Sequence, residues 1–374
     1  MAGRPIAGTP AERRDPRLAV RQERPLNAGP ELAALRAQVV TPNELFFIRS
    51  HGDVPEVDAE TFRLSVGGLV RRPLTLSLGE IRALPARTLT ATLECAGNRR
   101  SQLIAVEPIP GELPWGEDAL GNAFWTGAEL ARLLAEAEPL PEARHVAFGG
   151  LDEVERHGER FAFGGSIPLA KALSAEVLLA YEMNGAPLPP SHGAPLRALV
   201  PGFIGARSVK WLSRIELRET PSENYFQRRA YRLFPPAMRA ETVDYEQGKM
   251  LEDLGINSVI CTPRPGEVVA PGAVVVRGYA IAGGSRRVER VELSGDGGRN
   301  WSPVELFPDR GPWSWRFWRG ALGLTPGSEH ELVVRAWDSA GDGQPADPAA
   351  IWNFKGYMNN AWHRVRVSVA RTGG

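Results

Sequence analysis

The densest chemical signal in the chain is Leu93-Glu-Cys95-Ala-Gly-Asn-Arg-Arg100, a cysteine followed by small residues and then by paired arginines. Two nearby guanidinium groups favour a thiolate over a thiol, and the thiolate is both nucleophile and metal ligand. The competing reading is a buried structural cysteine. Gly97 and Asn98 tip the balance, because they suit an irregular loop better than a packed strand. Cys261, in Ser-Val-Ile-Cys-Thr-Pro, alternates with apolar residues and reads as strand core. Two cysteines cannot alone build a disulfide framework, a four-cysteine zinc site or an iron–sulfur cluster.

The rest of the composition narrows the class. Lys plus Arg and Asp plus Glu number 44 each, so the formal net charge is zero. That argues against a nucleic-acid binder, whose phosphate contacts need a basic excess, but it permits a local basic pocket. The length of 374 residues suggests two domains. An aperiodic excess of Gly (40) and Pro (32) disfavours a helical bundle and excludes collagen. The Arg-rich start, Met1 to Arg24, lacks an apolar core and reads as neither secretory signal nor anchor. No apolar run is long enough to span a bilayer. The expectation is a soluble, cytoplasmic protein without a membrane partner, with export left open.

The elements that must position these residues read as α+β followed by a β-sandwich. Residues 1–28 are polar and aperiodic, a tail that could wrap the body; residues 29–240 form an irregular mixed domain; residues 241–374 hold a connector and the sandwich. Ser77 to Glu80 and Thr126 to Glu129 each read as a capping box opening a short helix. Pro168 sits where a first helical position falls. Val177 to Tyr181 is a strand closed by Asn184-Gly185. From about Asn257 the texture changes to short strands: Val274–Ala280, Arg287–Leu293, Trp313–Trp318, Glu331–Trp337 and Val365–Val369. Their spacing fits an immunoglobulin-like sandwich of about 110 residues, without the Cys…Trp…Cys pattern of antibody domains. The many tryptophans here read as sandwich core and dimer contact, since the basic interleaving of a base-stacking surface is sparse.

The cysteine segment resembles the molybdenum-cofactor motif of the sulfite oxidase family, which includes plant-type nitrate reductases. Other segments resemble it in the same order. They are Asn43-Glu-Leu-Phe-Phe-Ile-Arg49-Ser-His51, Ser166-Ile-Pro-Leu, Tyr181 to Pro189, His192 to Arg197, and Gly205-Ala-Arg207-Ser-Val-Lys210-Trp211. Gly278 to Trp301 and Ile351 to Val365 are similar to the family's dimerisation domain, so the resemblance runs over roughly residues 30 to 370.

The resemblance implies a molybdopterin-dependent oxidoreductase acting on sulfite. Cys95 falls at the molybdenum-ligating thiolate, and a molybdopterin dithiolene supplies two further sulfurs. Arg49, Arg100, Trp115 and Tyr231 fall at active-site positions. Phe47, Arg49, His51, Asp152, Ser166, His192, Arg197, Gly205, Arg207, Ser208 and Lys210 fall at positions that hold the cofactor. The basic cluster Arg197, Lys210 and His192 suits a pterin phosphate. His145, His157 and His330 lie outside the matched segments and read as surface or core.

Two departures stand out. Trp352-Asn-Phe-Lys355-Gly356 carries lysine where sulfite oxidases usually have an arginine that reaches the active site, and Ser50 replaces the usual Asn. Lys355 keeps a positive charge without bidentate geometry. No haem, flavin or iron–sulfur motif occurs in the chain. Electrons are therefore expected to leave to an external acceptor such as a cytochrome, from a homodimer. The alternatives are a family member acting on nitrate or a sulfoxide, a cysteine-nucleophile enzyme activated by histidine, and a non-catalytic binding module.

Overall fold

A computed structural model describes residues 12–371; the first part of the expected tail, to Ala11, lies outside the described residues. The remainder of that tail includes the strand Leu18–Gln22, which pairs with Asn27–Pro30, which in turn pairs with Ile48–Arg49. Arg21 forms an ion pair with Asp118 and fastens this small sheet to the body.

The first domain is built on two five-stranded sheets. One runs in the order Ala186–Pro187, Leu178–Met183, Leu120–Glu129, Ala86–Glu94, with Arg197–Leu199 also pairing with Leu178–Met183. The other runs Leu74–Ser77, Arg63–Gly68, Arg214–Arg218, His145–Arg156, Glu159–Pro168. In Arg63–Gly68 the buried residues Leu64 and Val66 alternate with exposed ones, the period of a half-buried strand. The helix Leu130–Ala137 adds Leu130, Leu133, Leu134 and Ala137, one apolar stripe, to the same core.

Local expectations meet mixed outcomes. The Ser77–Glu80 capping box forms with both reciprocal bonds. The Thr126–Glu129 box does not: these residues end the strand Leu120–Glu129. Thr126 Oγ1 instead pairs with Thr88 Oγ1 at 2.7 Å, and the Glu129 carboxylate takes Arg87 at 3.0 Å and Arg132 at 3.2 Å, so cross-strand pairing wins over capping. Pro168 is the N-cap of Leu169–Ala172 rather than its first residue. Asn184 and Gly185 take φ of 54° and 76°, a two-residue hairpin turn between Leu178–Met183 and Ala186–Pro187.

The sandwich begins at Asn257. Asn257–Thr262, Gly272–Ile281, Arg316–Leu324 and Glu305–Leu306 form one sheet. Val268–Val269, His363–Val369, Glu329–Asp338, Val288–Ser294 and Ser302–Pro303 form the other. The expected strand Trp313–Trp318 starts only at Arg316, because its first residues face the other domain. Trp313 O accepts from Thr92 N at 2.8 Å, and Trp315 Nε1 donates to Val39 O at 2.9 Å. Cys261 is buried in a core that joins the domains, where Phe226 and Tyr231 pack with Val259, Tyr279 and Trp315. Burial pushes its thiol up to about 12, so it stays protonated and inert. Among the described residues, no helix is long and apolar enough to cross a membrane.

Candidate active site

The strand Ala86–Glu94 delivers Cys95 to the wall of a cleft. Cys95 N donates to Ala119 O at 2.9 Å, and the chain then turns sharply into the short helix Arg100–Ile104. Asn98 braces the turn: its Nδ2 donates to Glu94 Oε1 at 2.7 Å and its Oδ1 accepts from Ala119 N at 3.0 Å. Gly97 N points at Cys95 Sγ at 3.4 Å. Position 97 needs glycine because a Cβ there would lie 2.5 Å from Arg100 Nη2. The second domain grips the loop from outside. Asn257 Nδ2 donates to Glu94 Oε1 at 3.2 Å, Asn359 Nδ2 to Arg99 O at 2.9 Å, and Met358 N to Ala96 O at 2.8 Å. Burial raises the Glu94 carboxyl, and the bonds from Asn98 and Asn257 oppose that rise.

The cleft encloses about 700 Å³ of space open to solvent. Cys95 lines it together with Phe47, Arg49, His51, Asp152, His192, Arg197, Gly205, Ser208, Lys210 and Tyr231. Lys210 Nζ donates to Ser50 Oγ and Ser191 O, both at 2.8 Å. Arg197 donates to His192 O and Ser208 O, both at 2.9 Å. Burial, then the charges of Lys210 and Arg197, push His192 down to about 3, so its ring is neutral. Burial also lowers Lys210, to about 7, and raises Asp152, to about 6.

These features fit a cofactor with an N–H-rich ring and a phosphate. Asp152 Oδ1 is a buried acceptor without a partner, the arrangement left when a donor is still to come. Two buried cations stand near Ser191, whose N–H and hydroxyl already hold an anion, the Glu12 carboxylate of the N-terminal segment. Among the described residues, no group of three or more His, Cys, Asp or Glu is placed to hold a metal ion, so Cys95 would share a metal with ligands from a cofactor.

A second opening, enclosing about 1070 Å³, shares Arg49 and His51 with the first and adds Glu112, Arg156, Lys355 and Tyr357. Arg49 Nη2 donates to His51 Nδ1 at 3.2 Å, which leaves His51 Nε2–H to donate to Tyr231 Oη at 2.8 Å. Burial, then Arg49, keep His51 neutral, in agreement with that tautomer. Burial, first among several causes, pushes the Tyr231 hydroxyl up, and it remains a phenol. Arg100 is buried behind this mouth. It donates through Nε to Lys355 O at 3.0 Å and through Nη1 to Leu113 O at 2.8 Å, with its guanidinium 5.1 Å from the Tyr357 ring centre.

Four expected site residues line neither opening: Arg100, buried behind the mouth, and three others. Ser166 Oγ accepts from Ser222 N at 2.9 Å and is consumed by the fold. Arg207 donates to Leu251 O at 3.2 and 2.9 Å, tying the connector down. Trp115 is fully buried in the apolar cluster beneath Cys95. Lys355 reaches the mouth but is engaged with Glu112 at 2.7 Å rather than free. Glu94, Asn98, Asn257, Ser191 and Glu112 were not singled out from sequence. The Gly-Asn after Cys95 hinted at Asn98, whereas no local pattern marks Glu112, a lone acid in a proline-flanked loop.

The thiol wall, the phosphate-type cluster and the arginine-lined mouth together define a cofactor-dependent oxidoreductase of the molybdopterin-binding class. Residues 51–226 match the family described as oxidoreductase molybdopterin binding domain, and residues 248–370 match the Mo-co oxidoreductase dimerisation domain. The chain is 44% identical over 370 residues to sulfite oxidase of Gallus gallus, covering 96% of this chain and 79% of that one. It is 37% identical to sulfite oxidase of Arabidopsis thaliana, covering 96% of both. Its fold superposes with a TM-score of 0.81 on the sulfane dehydrogenase SoxCD of Paracoccus pantotrophus, at 26% identity, covering 98% of this chain and 93% of that one. The chain belongs to the sulfite oxidase family of molybdopterin-dependent oxidoreductases.

Proposed function

We propose that the protein oxidises sulfite to sulfate and passes the two electrons to an external acceptor, a cytochrome. The observation that carries this reading is that the two openings share Arg49 and His51 as lining residues, beside the Cys95 wall. A group held by Cys95 on one side would face an oxyanion held on the other. When bound, the molybdenum cofactor supplies oxygen-atom transfer and accepts the two electrons.

The chain's own residues do the rest. Asp152, His192, Arg197 and Lys210 hold the pterin and its phosphate. Arg49 replaces part of the hydration of the anion with fixed donors. Arg100, anchored on two carbonyls, keeps that wall rigid and adds charge from behind. Tyr231, kept a phenol by burial and positioned by the bond from His51, offers a hydroxyl to orient the substrate. Lys355 contributes a cation from the second domain. Net turnover takes sulfite and water to sulfate, two protons and two electrons. The match to a dimerisation domain supports a homodimer as the working form.

The test is sulfite-dependent reduction of cytochrome c or ferricyanide by protein made in a host that supplies the cofactor. Sulfite turnover is expected from the wild type and none from a folded Cys95→Ser variant. Absence of sulfite turnover alongside nitrate or sulfoxide reduction would transfer the assignment to the family's other substrates. Lys355→Met is expected to raise the KM for sulfite and Lys355→Arg to lower it. No change in either would remove Lys355 from the anion site.

A further inference from the structure

Glu112 is a carboxylate inside a site built for anions. Its Oε1 lies 2.7 Å from Lys355 Nζ and its Oε2 lies 3.6 Å from Arg100 Nη2. It thus bridges a lysine and an arginine with two oxygens, the contact a sulfur oxyanion would make. The pair is largely shielded, with side-chain exposures of 19% for both Glu112 and Lys355. The surroundings hold it there. Leu113 O, the next carbonyl along, accepts from Arg100 Nη1, so the loop carrying Glu112 is pinned to the arginine it faces. Burial raises the Glu112 carboxyl, but Lys355, Arg100 and Arg49 outweigh it and keep the group ionised.

We infer that Glu112 sets the anion affinity of the mouth, a built-in surrogate anion that occupies Lys355 until substrate displaces it. The inference rests on the sulfite reading of the same site. Without Glu112, the mouth would present Arg49 and Lys355 uncompensated, with the charge of buried Arg100 behind them, and would hold a doubly charged product as firmly as the substrate. With Glu112, the entering anion competes for Lys355, and the carboxylate returns as sulfate departs. The cost is weaker binding of both anions; the gain is product release.

Removing one unit charge about 6 Å from a bound anion, at an effective dielectric constant between protein and water, changes affinity about tenfold. The variant E112Q keeps the shape and removes the charge. Sulfate titrated into the holoenzyme, followed calorimetrically, should bind about tenfold tighter to E112Q than to wild type, and the KM for sulfite should fall in parallel. E112A should move the same way, which covers a folding defect in either variant. The double variant E112Q/K355M should return sulfate affinity to about the wild-type value. Sulfate affinity that is unchanged within about twofold, or weaker, in both E112Q and E112A overturns the inference. So does a double variant that keeps the tighter binding, because Lys355 would then not be the group competed for. Sulfate binding needs no turnover. Tighter binding in E112Q from an enzyme that does not oxidise sulfite would therefore uphold Glu112 and sink only the substrate assignment.

Discussion

Gly97→Ala tests how tightly the cysteine loop and the anion mouth are coupled. The backbone at Gly97 is not in the left-handed region, so alanine brings no intrinsic backbone strain. The effect is purely steric. The new Cβ would lie 2.5 Å from Arg100 Nη2, 2.7 Å from Cζ and 2.9 Å from Nη1. Ordinary contact between such atoms is about 3.5 Å, so the guanidinium must retreat by about 1 Å. It is not a loose end, because it is bound to Lys355 O at 3.0 Å and Leu113 O at 2.8 Å and is 3% exposed. A retreat of that size carries at least one bond out of range. Losing one or two hydrogen bonds from a charged donor costs about 2–5 kcal/mol. Misplacing a positioning group by about 1 Å lowers kcat/KM by up to about 100-fold. Steady-state kinetics with sulfite and urea denaturation followed by circular dichroism read both effects. A variant within about threefold of wild type in kcat/KM, with an unchanged urea midpoint, would refute this steric coupling.

Two further predictions concern the loop's grip and the phosphate cluster. Asn257→Ala strips the second-domain partner from Glu94 and from Arg99 Nη1, at 2.6 Å, leaving buried polar groups short of bonds; chemical denaturation should show a loss of about 2–4 kcal/mol, and a loss below about 0.5 kcal/mol would contradict the brace. Lys210 sits near 7 without the cofactor, because burial lowers it and Arg197 adds repulsion, and a bound phosphate would hold it protonated at higher pH. The added affinity is then complete below about 7 and is lost as pH rises above it, so cofactor retention after gel filtration should be lower at pH 9 than at pH 6, and the reverse order would refute the role.

Residue types alone singled out the Cys95 segment, and the resemblance supplied the other candidate positions. A thiol beside paired arginines marked a wall of the cleft, and the strand texture after Asn257 marked the sandwich. The Ser77 cap was legible because its partner lies three residues away. Failures came where non-local contacts decide. The Thr126 cap lost to a strand neighbour. Ser166 and Arg207, placed by resemblance, bond to Ser222 and Leu251, while Arg207 Nη1 is buried without a partner. Glu112 meets Lys355 across 243 residues of chain, a distance no local pattern can bridge. The zero net charge concealed a basic pocket whose compensation is partly internal, in Glu112 and Asp152.

The central claim is that Cys95 supplies the protein's ligand to molybdenum. X-ray absorption at the molybdenum edge tests it in holoenzyme carrying about one molybdenum per chain. About three sulfur neighbours are expected in wild type and about two in a folded Cys95→Ser variant that no longer oxidises sulfite. An equal sulfur count in both proteins, or a wild-type protein that carries no molybdenum, would contradict it.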